Sequence, residues 1–217
     1  CAWNQKPDLI LASGDMLSGD REEGDAIAVA LLSRLSDLAP VCFVNGNHEM
    51  CVERHQPERY QKFMDDLKNG GVQVLHNETA WFWIDGEKVA VTGYELPWEY
   101  YRRFSRRHPS VVGMERSIGK RKQDAYQILL THNPVFFEEY AAWGADFTFA
   151  GHLHGGFIRL PYFGGVISPQ FQLFPKYDHG LYQMDTSSMV VGAGMGNHSG
   201  LFRINNPTEI VTVRIKR

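Results

Sequence analysis

Across 217 residues the chain holds 43% hydrophobic and 22% charged side chains with a net charge of −3, which suits a sizeable core and excludes a general nucleic-acid binder, whose grip on phosphates needs a cationic excess. Its three cysteines, Cys1, Cys42 and Cys51, form no C-x-x-C pair and give no disulfide framework; Cys42, inside the apolar run 41–44, reads as a small buried hydrophobe. No stretch approaches the roughly 18 consecutive apolar residues of a membrane-spanning helix, and with no linker or break in composition residues 1–217 read as one domain.

In chain order, residues 8–13 (DLILAS) form an apolar run halted by Gly14 and Asp15, the pattern of a buried strand ending in a turn. A helix follows, because Ile27, Leu31, Leu35 and Leu38 recur at spacings of four, four and three, which stacks them on one face before Pro40. Residues 41–45 read as a second buried strand ahead of Gly46, and 57–67 as a helix stopped by Gly70 and Gly71. Strands are predicted at 72–75, 79–84 and 88–93, with Asp85-Gly86 as the hairpin turn between the last two, and then at 126–131, 146–150, 180–184, 189–191 and 210–215. Helices fall in the first two thirds and strands in the last, which predicts an α/β fold with mixed sheets under helices rather than an all-parallel one.

Four polar motifs stand directly after predicted strands: Gly14-Asp15, Gly46-Asn47-His48-Glu49, Thr131-His132-Asn133-Pro134 and Gly151-His152-Leu153-His154-Gly155-Gly156. In sheets flanked by helices, ligands gather beyond the carboxyl ends of strands, where groups distant in sequence converge. Taken singly, Gly-Asp is an ordinary turn, a histidine before Asn-Pro an ordinary loop residue, and Asn and Gly ordinary turn formers. Two histidines one residue apart are harder to explain as a turn. Carboxylate, amide oxygen and imidazole together suit manganese, iron or zinc better than calcium or magnesium. If 152–154 is extended the two imidazoles share a face; if it is a turn they point to two neighbouring ions.

In this order and spacing the motifs resemble the second to fifth motifs of the calcineurin-like metallophosphoesterases, over nearly the whole chain. The resemblance implies a four-layer α-β-β-α sandwich, two mixed sheets flanked by helices, with two divalent transition-metal ions (manganese, iron or zinc) at the strand ends. It implies that Asp15 bridges both ions, that Asn47, His132 and His152 complete the ligands of one, and that His154 belongs to the other. His48 is by the same resemblance the catalytic non-ligand histidine, which stabilises the transition state or protonates the leaving oxygen. Asn47, His48 and Arg159 are the substrate-binding candidates. The family's opening Asp-x-His does not occur here, so the sequence is expected to lack the family's first strand, to continue upstream of Cys1, and as it stands to hold fewer ions.

The stretch after Gly156, through Phe157, Ile158, Arg159, Leu160 and Pro161, resembles a bacterial branch that often carries a membrane-anchoring segment upstream. That branch includes phosphodiesterases and pyrophosphate hydrolases acting on lipid-linked or nucleotide-sugar substrates, although it usually has Gln at the place of Phe157 and often Thr at that of Leu153. The implied activity is hydrolysis of a phosphodiester, pyrophosphate or phosphomonoester by metal-activated hydroxide, without a covalent intermediate. The implied partner is a small phosphate ester, lipid-linked in one version, with no specific nucleic acid; the implied setting is the bacterial cytoplasm or a membrane surface, reached by peripheral association.

Outside the motifs, Trp98, Tyr100, Tyr101 and Phe104 with Arg102, Arg103, Arg106, Arg107 and His108 form a basic aromatic segment that reads either as a contact for anionic lipid or phosphate or as a solvated face. Trp81, Phe82 and Trp83 read as strand residues packed on both faces, and Tyr162, Phe163, Phe171 and Phe174 as a loop walling the site or as core. His55, His76, His108, His179 and His198 read as structural or surface residues. The competing class is a non-catalytic protein that keeps the sandwich as a binding scaffold with an incomplete metal site.

Overall fold

Three short apolar segments, β1 (Ile10–Ala12), β2 (Val41–Phe43) and β3 (Val72–Val74), pair in parallel in that order. Parallel neighbours need crossovers, and helices supply them: α1 (Asp25–Ser36) between β1 and β2, α2 (Asn47–His55) and α3 (Pro57–Asn69) between β2 and β3. The computed structural model describes residues 5–19, 22–102, 107–155, 159–160, 164–165, 175–196 and 205–216, with backbone alone at 159–160 and 164–165.

The second sheet takes β4 (Thr79–Ile84), β5 (Glu87–Tyr94), β6 (Tyr126–Thr131) and β7 (Phe147–Ala150), with helices α4 (Val111–Ile118) and α5 (Phe137–Trp143) on its outer side. After a small antiparallel ribbon, β8 (Arg159–Leu160) with β9 (Gly164–Gly165), it is completed by β10 (Gly180–Met184) and β11 (Ser187–Val191). Its order is β10-β11-β7-β6-β5-β4; the inner strands are parallel and an antiparallel pair closes each edge. The mixed character therefore lies in the large sheet, while the described strands of the small sheet are parallel.

The two-residue period of a strand sorts its side chains between layers. Val41 and Phe43 face a core with Leu32, Phe63 and Leu67 of α1 and α3, whereas the intervening Cys42, together with Val44, faces Val89, Val91, Ile128 and Leu130 of the large sheet. Leu129, between those last two, turns outward to Met114, Ile118 and Tyr140 of α4 and α5. Helix, sheet, sheet, helix is thus the layer order, as expected. Cys42 is fully buried and burial pushes its thiol up to about 12, which fits an inert packing residue.

Three expectations need correcting. Helix α1 buries Ala28 and Leu32, with Leu35 half-buried beside them, while Ile27 is 72% exposed and Leu31 36% exposed. The buried row lies one residue over from the apolar row read from the sequence. Trp81 and Trp83 are exposed, because alternation along the edge strand β4 turns Ala80, Phe82 and Ile84 inward; Lys88 lies 4.4 Å over the Trp81 ring. Residues 210–215 form no strand: Ile210, Val211 and Ile215 are exposed, and β-branched residues make no ladder without a partner. Among the described residues no helix is long and apolar enough to cross a membrane.

Candidate metal centre

All four polar motifs emerge from carboxyl ends of parallel strands, β1 and β2 in the small sheet and β6 and β7 in the large one. Asp15 leaves β1 through Gly14 in the left-handed conformation, with φ of +57°, and packs against the turn that starts α2. Glycine is needed on both sides of this contact: a Cβ at Gly14 would lie 2.3 Å from the Gly46 nitrogen, and one at Gly46 would lie 2.2 Å from Asp15 Oδ1. The Asp15 carboxylate is fixed further by the His48 N–H, which donates to Oδ1 at 2.9 Å.

Asp15, His132 and His152 bring one ligand atom each within 4.8 Å of one another, the one such group among the described residues. His132 Nδ1 lies 2.5 Å from the Ser13 carbonyl, which can only accept, so Nδ1 carries the proton and Nε2 is the atom presented to the cluster. That Nε2 is 3.0 Å from Asp15 Oδ2 and 3.1 Å from His152 Nδ1. His152 reaches this place through a three-residue turn, closed by the Leu153 N–H donating to the Gly151 carbonyl at 2.7 Å, with its own φ at +63°. Such a conformation costs a non-glycine residue about 1–3 kcal/mol, and the fully buried Leu153 anchors it.

The electrostatics suit a cation. Burial pushes the Asp15 carboxyl upward, but the imidazoles of His132, His48 and His152 outweigh it and hold the group well below the usual carboxylate range. Burial, then the charge of His132, drives His152 well below the ordinary histidine value, leaving a neutral ring with a free lone pair. For His132 burial is outweighed by Asp15, which raises it. The buried polar atoms without a hydrogen-bond partner among the described residues include Asn47 Oδ1 and His152 Nε2. An orphaned amide oxygen beside the Asp15 turn is what an ion at this place would satisfy.

The other expected residues are distributed as follows. Asn47 and His48 open α2, next to the Asp15 contact. His154 lies on the turn after β7, at φ of +49°, rather than on a strand, and its carbonyl accepts from the Asn206 amide; it stands outside the group of Asp15, His132 and His152. The Arg159 side chain, Arg103, Phe104 and Arg106, His198, and Tyr162, Phe163, Phe171 and Phe174 lie outside the described residues. The remaining histidines are placed structurally: His76 against Glu95, His108 against Glu139 and His179 against Glu209, with His55 exposed.

Three contributors escaped sequence reading. Ser13 acts through its carbonyl, which no side-chain pattern betrays. Tyr101 is buried with its ring centroid 5.3 Å from that of His152 and 6.1 Å from that of His132. Beside it, half-buried Tyr100 and exposed His108 each set their ring against Phe136, while Trp98, Arg102 and Arg107 are exposed, so the described part of the aromatic segment is packed on one side and solvated on the other. Glu49 closes the Gly46-Asn47-His48-Glu49 motif, whose pattern gives it no part of its own; burial and the Asp15 charge push its carboxyl upward against the pull of backbone N–H donors.

Comparison with known proteins identifies the family. A model of the calcineurin-like phosphoesterase family matches residues 2–156. Phosphodiesterase YaeI of Escherichia coli is 26% identical over 97% of this chain and 71% of its own length. The uncharacterized metallophosphoesterase YkuE of Bacillus subtilis is 24% identical over 97% of this chain and 68% of its own. A crystal structure of phosphopantetheinyl hydrolase (PptH) from Mycobacterium tuberculosis superposes with a TM-score of 0.49 and 14% identity, covering 86% of this chain and 78% of that one.

Proposed function

Because this chain belongs to the calcineurin-like phosphoesterase family, we propose that it hydrolyses a phosphodiester or pyrophosphate at the cluster of Asp15, His132 and His152, with divalent manganese, iron or zinc held there. The observation that carries this reading is the convergence of three ligand atoms from two different sheets within 4.8 Å, beside an orphaned amide oxygen. When bound, such ions supply Lewis acidity, activating water near neutral pH and offsetting charge on the phosphoryl oxygens. Asp15, Asn47, His132 and His152 fit one ion in full. Asp15 and His154 alone fit a second ion in part, since two protein ligands make a weak site.

The chain's own groups divide the remaining work. The Ser13 carbonyl fixes the His132 tautomer, and the His48 N–H holds the Asp15 carboxylate in place. The His48 side chain donates a proton to the departing oxygen and faces the charge that builds on the phosphoryl group. Asn47 and His48, at the start of α2, meet the substrate phosphate, with Arg159 as a further contact.

A diester is favoured over a small monoester by the phosphodiesterase among the relatives. An apolar or lipid-linked group on that diester is the fuller form of the proposal. The test is a panel on the manganese-loaded protein: an aryl phosphodiester, a lipid-linked pyrophosphate and an aryl phosphomonoester. Highest kcat/KM on either of the first two supports the proposal, and a large preference for the monoester overturns the substrate class. Failure to bind manganese, zinc or iron at all overturns the metal reading and returns the protein to a binding scaffold.

A further inference from the structure

Glu49 is fully buried on the first turn of α2, and its carboxylate is surrounded by backbone N–H groups. Oε2 accepts from Asp15 at 2.8 Å and from Gly46 at 2.8 Å; Oε1 accepts from Met16 at 2.6 Å and from Leu17 at 2.7 Å. The bond to Gly46 is the familiar reach of an acid in a helix's first turn back to its cap. The other three are not helix capping, because they come from consecutive residues of the β1 loop.

We propose that Glu49 is a positioning residue for the metal centre, setting the Asp15 carboxylate by clamping the backbone of residues 15–17 to the start of α2. The inference rests on reading Asp15 as a metal ligand. Asp15 holds a left-handed φ of +57°, which a non-glycine residue keeps only when its surroundings impose it. Three consecutive N–H groups turned to one point form an anion-binding concavity, which is costly to bury empty. Here an internal carboxylate fills it. Residues 48 and 49 thereby hold Asp15 twice, His48 by the side-chain oxygen and Glu49 by the backbone nitrogen. A glutamine of the same shape accepts with one atom only and turns its NH2 toward two of the four donors, so the clamp loosens without a change in size.

The probe is cobalt(II), added to the metal-free, full-length protein and followed by titration and by its visible absorption, with the metal-free Tm recorded alongside. Glu49→Gln is expected to weaken cobalt binding by about ten- to a hundredfold, the range for partners that orient metal ligands, and to alter the absorption spectrum. Wild-type affinity and spectrum in that variant overturn the proposal, whatever the Tm does, because a purely structural role moves only the Tm. If Glu49→Gln does not fold, Glu49→Asp, which keeps the charge but withdraws it by one methylene, replaces it with the same expected deficit. Failure of both to fold makes Glu49 a folding residue and overturns the proposal. Absence of cobalt binding by the wild type removes the metal reading together with this one, whereas equal binding by wild type and variants removes this one alone.

Discussion

Asp15 and His132 meet at 3.0 Å, Oδ2 to Nε2, although β1 and β6 belong to different sheets. The pair joins the layers at the candidate centre, where Asp15, read as a ligand, and His48, read as a proton donor, are expected to fail in different ways. Asp15→Ala should lose both bound metal and activity. His48→Ala should keep most of its metal while losing about two to four powers of ten in kcat, the usual range for a missing general acid. Metal analysis and kinetics on the two variants check this, and equal metal loss would show that the His48 ring is a ligand.

The face of α1 that carries the fold can be tested with two truncations. Leu32, 1% exposed, is expected to cost about 2–5 kcal/mol as Leu32→Ala. Ile27→Ala, at a 72% exposed position, should stay within about 0.5 kcal/mol. Denaturant unfolding of both variants decides, and the reverse ranking would restore the row of Ile27, Leu31, Leu35 and Leu38 as the buried one.

Arg121 ties the turn before β7 to the loop before β6. It donates to the Gly144 carbonyl at 2.8 Å and to both Asp146 oxygens at 2.9 and 3.0 Å, while Asp146 accepts from the Gln127 N–H at 2.7 Å. Removing it as Arg121→Ala should cost about 1–3 kcal/mol, because hydrogen bonds to a charged group are lost and their acceptors stranded. The Tm should fall without change in metal content; a fall in metal content would connect this clamp to the centre.

His76 gives the protein a pH-dependent increment of stability. Its hydrogen bond to Glu95 raises its pKa against the opposing effect of burial, with Glu95 and Glu53 adding to the rise and Lys68 subtracting. A pKa raised on folding stabilises fully below the unfolded value of about 6.5, and the gain disappears as pH rises through the folded value. The Tm deficit of His76→Gln should therefore be larger at about pH 6 than at about pH 9. An equal deficit at both would mean that the contact acts without charge.

Much of the frame was readable because the sheets bury their strands. Apolar runs at 79–84, 126–131 and 180–184 coincide with β4, β6 and β10, and the four polar motifs follow strand ends as expected. The Asp85-Gly86 turn has the positive φ at both residues, +50° and +80°, that a tight hairpin demands. What was not readable depends on neighbours. Ala28 offers too little apolar surface to outvote Ile27, so the buried row of α1 is decided by packing against α3 and the small sheet. Helix α2 begins inside a motif that reads as a loop and is largely polar, so periodicity gives no signal there. Glu49 looks like a solvated acid until three N–H groups from another element surround it, and Tyr101 approaches two histidines that are remote in sequence.

The proposed ligand set also has a mechanical meaning, since Asp15 is contributed by the small sheet and His132 and His152 by the large one. An ion held by all three rivets the two halves of the sandwich across their seam, a job that otherwise falls to apolar side chains such as Cys42 and Ile128. Resistance to heat then becomes a function of free metal concentration, growing by about 2.7 kcal/mol at a hundredfold excess over Kd. Calorimetry should find the transition moving steadily upward with added manganese and falling back in chelator. Under the proposed metal reading, a cell's supply of metal would govern how long the protein survives as well as how fast it turns over.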